Sequence, residues 1–249
     1  MVEVSYVAHP AEPGLDTGIS HALVVGVGEG RLPETFRIHT TGRIVAFGRQ
    51  DRVTGGYPGA VTAAKTAGYL PIERLAGGRA AVFHEGTLAF SWAIPAAEPR
   101  QAIAERFEAA GRLMAGAFGD LGFDARVGET AGEYCPGSYS VNIGGISKVM
   151  GVGQRLVRGA AHVGGVIVVD GGRRIAEVLG PVYRALGLEW EPRTAGDLAD
   201  FVPDISVREV RDAVIARLAA ATPTVPATLP DWLIAEGRRL STGHVSPAA

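Results

Sequence analysis

The stretch GEYCPGSYSVNIGGISKVMG, residues 132–151, holds the only cysteine of the chain, Cys135, and one of its two lysines, Lys148. The other lysine is Lys65, and the remaining 22 of the 24 basic residues are arginine. A thiol can attack an acyl carbonyl and hold the acyl group as a thioester. Exchange between thioesters is near balance in energy, and a later attack by an amine is downhill. The thiolate is the reactive form and needs a cation or a helix N-terminus beside it. The flanks of Cys135, Glu133-Tyr134 and Pro136-Gly137, read as a loop, where serine or alanine would serve without the oxidation risk. Lone cysteines are more often small buried hydrophobes, so the bland reading stays open. Lys148 lies between glycines on an expected strand. There it could hold an acyl carbonyl, stabilise an oxyanion or activate Cys135, or simply be a solvated strand lysine. Its survival in an arginine-rich chain argues for the first group of roles, because an ammonium is a compact point charge and a guanidinium a wide fork.

A second candidate stretch is Glu73 to Gly86, ERLAGGRAAVFHEG. Gly77 and Gly78 let a backbone approach a ligand with its amides free to donate. Ala81, Val82 and Phe83 form a short apolar strand before His84. A strand-turn-strand that needs glycine for its turn explains the same letters. The third stretch runs from Gly144 to Arg155 and adds Gly151 and Gln154. His9, His21, His39, His162 and His244 do not have a metal-ligand spacing, so no metal is expected. The acids show no paired-carboxylate signature.

The elements that must position these residues follow from periodicity. Residues 14–29 predict a helix. Residues 36–39 and 43–48 predict strands around a turn at Thr40–Gly42. Pro58–Gly68 predicts a short helix, and 69–74 and 87–94 predict strands. Pro99–Gly119 is the clearest helix, with Ile103, Phe107, Met114 and Phe118 on one face. Residues 139–143, 147–152 and 163–169 predict strands separated by glycine turns. Helices are expected near 172–187 and 206–221, the second opened by the capping box Ser206–Glu209. A proline-rich stretch at 222–230 leads to a last helix, and STGHVSPAA reads as a loose tail. The fold class is α/β (α+β), a mixed sheet with flanking helices, with a catalytic domain at 1–225 and a C-terminal helix and tail at 226–249.

The chain has 249 residues, 47% of them hydrophobic, and a net charge of −2. That supports one large core and excludes a generally basic nucleic-acid or anionic-membrane binder. One cysteine excludes an internal disulfide and any multi-thiolate metal site. No signal peptide and no membrane span is read, so a cytoplasmic setting is expected.

Several segments, in order, resemble the lipoate–protein ligase A and octanoyltransferase family. They are Leu32–Ile38, Val45–Gln50, Arg74–Ser91 and Ser147–Arg155, the last with Lys148 in the family's lysine slot. The likeness covers roughly residues 15–190. Tyr134-Cys-Pro-Gly-Ser-Tyr139 is similar to the cysteine segment of the branch that moves octanoyl groups between lipoyl domains. Ala76 stands where the pattern has serine and Arg79 where it has a third glycine, which weakens the inference of nucleotide binding. The resemblance implies a mixed sheet shared with biotin ligase catalytic domains. It implies Cys135 as acyl-carrying nucleophile and Lys148 as its activator and carbonyl-binding group. It also implies an acyl pocket from Arg74, Gly77, Gly78, Ala81, Val82, Phe83, His84, Gly151 and Gln154. The donor would be acyl carrier protein or a glycine-cleavage H-type protein, the acceptor a lipoyl-domain lysine, and no cofactor would be required. Two rival expectations remain: an ATP-dependent lipoate ligase in which Cys135 is dispensable, and a non-catalytic member that keeps the pocket.

Overall fold

The computed structural model describes residues 1–12 and 14–246. In chain order the strands are β1 (Val2–Ser5), β2 (Thr35–His39), β3 (Ile44–Phe47), β4 (Leu70–Glu73), β5 (Ala81–Phe83) and β6 (Thr87–Pro95), then β7 (Ala125–Val127), β8 (Val141–Ile143), β9 (Ser147–Val157), β10 (Ala160–Val168) and β11 (Thr224–Pro226). The helices are α1 (Leu15–Gly28), α2 (Arg49–Arg52), α3 (Tyr57–Thr66), α4 (Ile103–Asp120), α5 (Gly172–Leu186), α6 (Val207–Ala221) and α7 (Asp231–Ser241). Eight strands form one mixed sheet in the order β11-β1-β2-β6-β10-β9-β8-β7, and β4-β3-β5 form a second.

The long antiparallel run β6-β10-β9 is the rigid centre, with Gly164 opposite Gly153 and Val166 opposite Gly151. Leu113, Met114, Ala117 and Phe118 of α4 and Val210, Val214 and Leu218 of α6 pack with Phe36, Ile38, Leu88 and Phe90 of that sheet. The small sheet packs with α3 and α5 through Val45, Phe47, Val82, Ala60, Val61, Ile175, Leu179 and Val182, and Tyr134 joins this cluster. The two sheets and their helices thus bring the 74–79 loop, β9 and the loop before β8 together.

Most expected elements are present, with informative differences. β2 and β3 do not pair with each other: β2 lies between β1 and β6, whereas β3 pairs with β4 and β5. The turn between them therefore carries the chain from one sheet to the other. Helix α4 starts at Ile103, and only Met114 and Phe118 of the four expected face residues are in the core. Ser206 and Glu209 cap α6 reciprocally, as their spacing predicts.

The C-terminal segment is part of the main body. α7 crosses α1 in backbone contact: a Cβ on Gly18 would lie 2.1 Å from the Gly237 carbonyl oxygen, so neither helix tolerates a side chain there. The expected loose tail is docked through Ser246. Val245 bridges Ile72, the His244 carbonyl accepts from the Glu73 N–H at 2.6 Å, and Tyr57 donates to Ser246 at 2.8 Å. These partners lie on β4 and α3, too distant in sequence to be read locally. Residues 247–249 of the expected tail lie outside the described residues. No helix among the described residues is long and apolar enough to cross a membrane.

Candidate functional site

Cys135 sits on the loop between β7 and β8, half-buried, with φ of 44°, in the left-handed region. A non-glycine residue holds that conformation only when its surroundings fix it. Two sets of bonds do so. The Cys135 N–H donates to the Tyr183 hydroxyl at 2.9 Å, and that hydroxyl donates to the Ala80 carbonyl at 3.1 Å. On the other side, the Lys148 ammonium donates to the Cys135 carbonyl at 2.8 Å, the Tyr134 carbonyl at 2.9 Å and Glu133 Oε1 at 2.8 Å.

Lys148 and Glu133 are 1% and 3% exposed. A buried charge is tolerated when it is paired and its remaining hydrogen-bonding capacity is filled. Glu133 meets that condition: it also accepts from the Thr130 N–H at 2.9 Å, the Gly137 N–H at 3.2 Å and the Ser140 hydroxyl at 2.6 Å. The Lys148 ammonium has three hydrogens and three acceptors. It therefore points at the backbone of the cysteine loop and not at the sulfur.

The sulfur faces other groups. Sγ lies 3.1 Å from the Arg79 backbone nitrogen, whose N–H donates to it, and 3.9 Å from Arg74 Nη1. The expected cationic neighbour Lys148 is thus replaced by Arg74 and a backbone amide, because the lysine side chain is consumed beneath the loop. Arg74 Nη1 also donates to the Arg79 carbonyl at 3.1 Å, and Arg79 Nη1 donates to the buried Asp51 at 3.3 Å. Gly78 makes this possible. Its φ is 111°, and a Cβ there would stand 2.9 Å from Sγ and 3.0 Å from Arg74 Nη1.

Burial sets the protonation of the surrounding groups. It pushes the Tyr134 and Tyr183 phenols well above their ordinary range, so Tyr183 keeps the proton it donates to Ala80. It also raises Asp51, against the pull of the Gly48 amide and Arg79. His84 is held below its ordinary value by burial and then by Arg174, so the ring is neutral at pH 7.

The thiol opens onto a cavity of about 440 Å³, within the range of small-molecule sites. Its walls include Ile103, Phe107, Tyr139, Val152, Leu156 and Val166, and the Phe107 and Tyr139 rings stack at 5.1 Å. Ile103 and Phe107, expected on one face with Met114 and Phe118, line this cavity, whereas the other two join the core. Of the expected pocket residues, Arg74, Gly77, Gly78, Ala81, Phe83, Gly151 and Gln154 lie on its walls with Cys135. Gln154 also ties α4 to β9, accepting from Arg106 Nε at 2.7 Å and donating to the Ile103 carbonyl at 3.2 Å.

Val82 and His84 are not on these walls. Strand alternation sends Ala81 and Phe83 to the cavity and Val82 into the core between the small sheet and its helices. His84 is turned toward Gly86 and Gly171: its Nδ1 accepts from the Gly86 N–H at 3.1 Å. A narrower cavity of about 80 Å³, reaching His39 and His162, adjoins the larger one at Arg74, Phe83 and Gly165. Among the described residues, no cluster of three or more His, Cys, Asp or Glu side chains could hold a metal ion.

Three contributors escape sequence reasoning. Arg79 acts through its backbone amide, which no side-chain pattern signals. Glu133 adjoins the cysteine motif, but its burial depends on Lys148. Tyr183 lies 48 residues from the cysteine it supports.

This fold is of the lipoate–protein ligase class. It superposes on the crystal structure of lipoate-protein ligase A bound with ATP with a TM-score of 0.77, at 19% identity, over 96% of this chain and 94% of that one. The bi-partite lipoate protein ligase of Thermoplasma acidophilum, studied with its E2 lipoyl domain, gives 0.75, at 19% identity over 96% and 91%. The family model of the lipoyl protein ligase A/B catalytic domain matches residues 15–219, and the chain belongs to that family.

An octanoyl-[GcvH]:protein N-octanoyltransferase of Geobacillus kaustophilus is 34% identical over 188 residues, 75% of this chain and 65% of that protein. The match therefore spans just under two thirds of that relative's length. A protein of the same name from Anoxybacillus flavithermus is 30% identical over 230 residues, 91% of this chain and 80% of its own. A lipoyl-[GcvH]:protein N-lipoyltransferase of Listeria monocytogenes is 28% identical over 196 residues, 74% and 70%.

Proposed function

We propose that this chain transfers an octanoyl- or lipoyl-type acyl group to a lysine of a lipoyl carrier domain through a thioester on Cys135. The observation that carries this reading is the placement of the only thiol at the edge of an apolar cavity, on a loop locked from two sides. The names of the relatives support the acyl group and point to a glycine-cleavage H-type protein as the carrier. Acyl carrier protein is the alternative donor.

In the first half-reaction the Cys135 sulfur attacks the acyl carbonyl. The new C–S bond forms, the bond from the carbonyl carbon to the donor breaks, and the leaving amine or thiol takes up the proton lost by the cysteine. In the second, an uncharged acceptor amine attacks the thioester. The C–N bond forms, the C–S bond breaks, and the proton lost by nitrogen returns to sulfur. When donor and acceptor are both lysine amides the overall exchange is near balance, so no ATP or other cofactor enters the scheme.

Arg74 and the Arg79 N–H are the positive groups nearest the reacting sulfur, and they are placed to stabilise charge that develops there. Lys148 and Glu133 are positioning residues: they hold the Cys135 carbonyl and its φ. The acyl chain runs along Phe83, Phe107, Leu156 and Val166. A reducing compartment protects a free thiol nucleophile from oxidation, which fits a cytoplasmic protein.

The test is transfer from octanoylated H-type carrier to an apo lipoyl domain without ATP. Wild type modifies the acceptor, and Cys135→Ala loses activity by roughly 10³-fold or more with its fold intact. Undiminished transfer by Cys135→Ala contradicts the covalent route. Transfer that needs ATP and free octanoic acid would instead make the chain a ligase.

A further inference from the structure

Beside the start of the 74–79 loop lies a further concavity, of about 420 Å³, that the chemistry above does not use. Its walls carry Arg49, Arg52, Arg74 and Arg155, with His21 and His244, against a single acid, Glu73. Glu73 is already paired with Arg52 at 2.7 Å. Among the described residues, the exposed side chains of Arg49 and Arg155 have no hydrogen-bond or ion-pair partner. In a chain whose net charge is −2, this is a local excess of positive charge.

The two histidines add no negative charge to it, and they bond to the backbone and to each other. His244 Nδ1 lies 2.7 Å from the Glu73 carbonyl, which can only accept, so Nδ1 carries the hydrogen. His244 Nε2 and His21 Nδ1 hydrogen-bond to each other at 3.1 Å. Burial, then His244 and Arg155, hold His21 below its ordinary value.

The concavity is adjacent to the thiol cavity. Arg74 lines both. β9 borders both: Gly151, Val152, Gly153, Gln154 and Leu156 line the thiol cavity, and Arg155 lines this one. A protein that presents an acyl-lysine or a free lysine to Cys135 must cover the surface around that mouth.

We propose that this arginine-lined concavity is the docking surface for the carrier protein, engaging a carboxylate-rich face of the lipoyl carrier through Arg49 and Arg155. The inference rests on the acyl-transfer reading for the identity of the partner. Charge complementarity fixes the chemistry: two unpaired guanidiniums select carboxylates and steer their approach.

The test separates the surface from the chemistry. The Kd of a fluorescently labelled octanoylated H-type carrier is measured by anisotropy at about 50 mM salt. Arg49→Glu/Arg155→Glu is expected to raise it about tenfold or more, and Arg49→Gln/Arg155→Gln by less. Wild-type binding weakens toward the variant's as salt rises to about 1 M, where the Debye length is about 3 Å. Acylation of Cys135 by a small octanoyl thioester keeps its rate in both variants, which also reports that they are folded. A carrier Kd within about twofold of wild type in the Glu variant overturns the proposal. Inorganic phosphate that binds wild type at millimolar concentration and is lost in the Glu variant, while the carrier Kd stays within about twofold, would assign the concavity to a free anion and also overturns it. If the small thioester fails to acylate wild type, the acyl-transfer reading fails, and the carrier Kd still decides the surface.

Discussion

Lys148 spends its three ammonium hydrogens on Glu133, Tyr134 and Cys135, so its loss acts on the loop before it acts on the substrate. Lys148→Met leaves Glu133 buried and unpaired, which costs about 3–5 kcal/mol. Lys148→Met/Glu133→Gln removes the stranded charge and is expected to regain much of that stability in urea unfolding, without regaining activity. The gain in stability without activity is the signature of a positioning role. Equal stability of the single and double variants would mean the pair is not coupled. Lys148→Arg does not rescue, because a forked guanidinium cannot place three donors on three oxygens around one point. At this scale Cys135 was legible because it is chemically rare and sits in a glycine- and proline-flanked loop. The role of Lys148 was not: which atoms an ammonium reaches depends on how residues 133–135 curl over β9.

At the scale of elements, β5, β9 and the start of α4 build the cavity. β5 supplies Ala81 and Phe83, β9 supplies Gly151, Val152, Gly153, Gln154 and Leu156, and α4 turns Ile103 and Phe107 away from the core toward the opening. An apolar cavity recognises chain length at about 0.8 kcal/mol per methylene. Hexanoyl carrier, two methylenes shorter than octanoyl, is therefore expected to lose roughly 1.6 kcal/mol, or about 15-fold in kcat/KM. Equal rates for the two chains would mean that the acyl group does not lie in this cavity. Long periodic elements such as α4, α5, α6 and β10 were readable from spacing. The short strands β1, β7 and β11 were not, since three or four residues carry no period and owe their existence to neighbours across the sheet. For the same reason, reading β5 as an undivided pocket strand put Val82 and His84 on the cavity, whereas alternation takes Val82 off it and the following turn takes His84.

For the whole molecule, two histidines buried in the folded chain set a pH limit. Burial, reinforced by Arg37 for His39 and Arg74 for His162, lowers both rings to about 3 from an ordinary 6.5. Below pH 6.5 the unfolded chain binds protons that the folded chain does not. Their contribution to stability is complete above that pH and is lost as pH falls toward about 3, at up to about 1.4 kcal/mol per pH unit for each ring. Urea midpoints measured from pH 7.5 to 5 should fall accordingly, and His162→Gln should flatten the slope. A midpoint independent of pH in that window would mean that these rings titrate normally. The docked C-terminal residues belong to the same unit, since β4 and α3 hold Val245 and Ser246.

The proposed route requires Cys135 to carry the acyl group. The most direct measurement is the intact mass of the protein after incubation with octanoylated H-type carrier in the absence of ATP. One octanoyl adduct is expected, released by hydroxylamine and absent in Cys135→Ala. Acceptor modification with no adduct on wild type under single-turnover conditions, or an adduct that persists in Cys135→Ala, would contradict it.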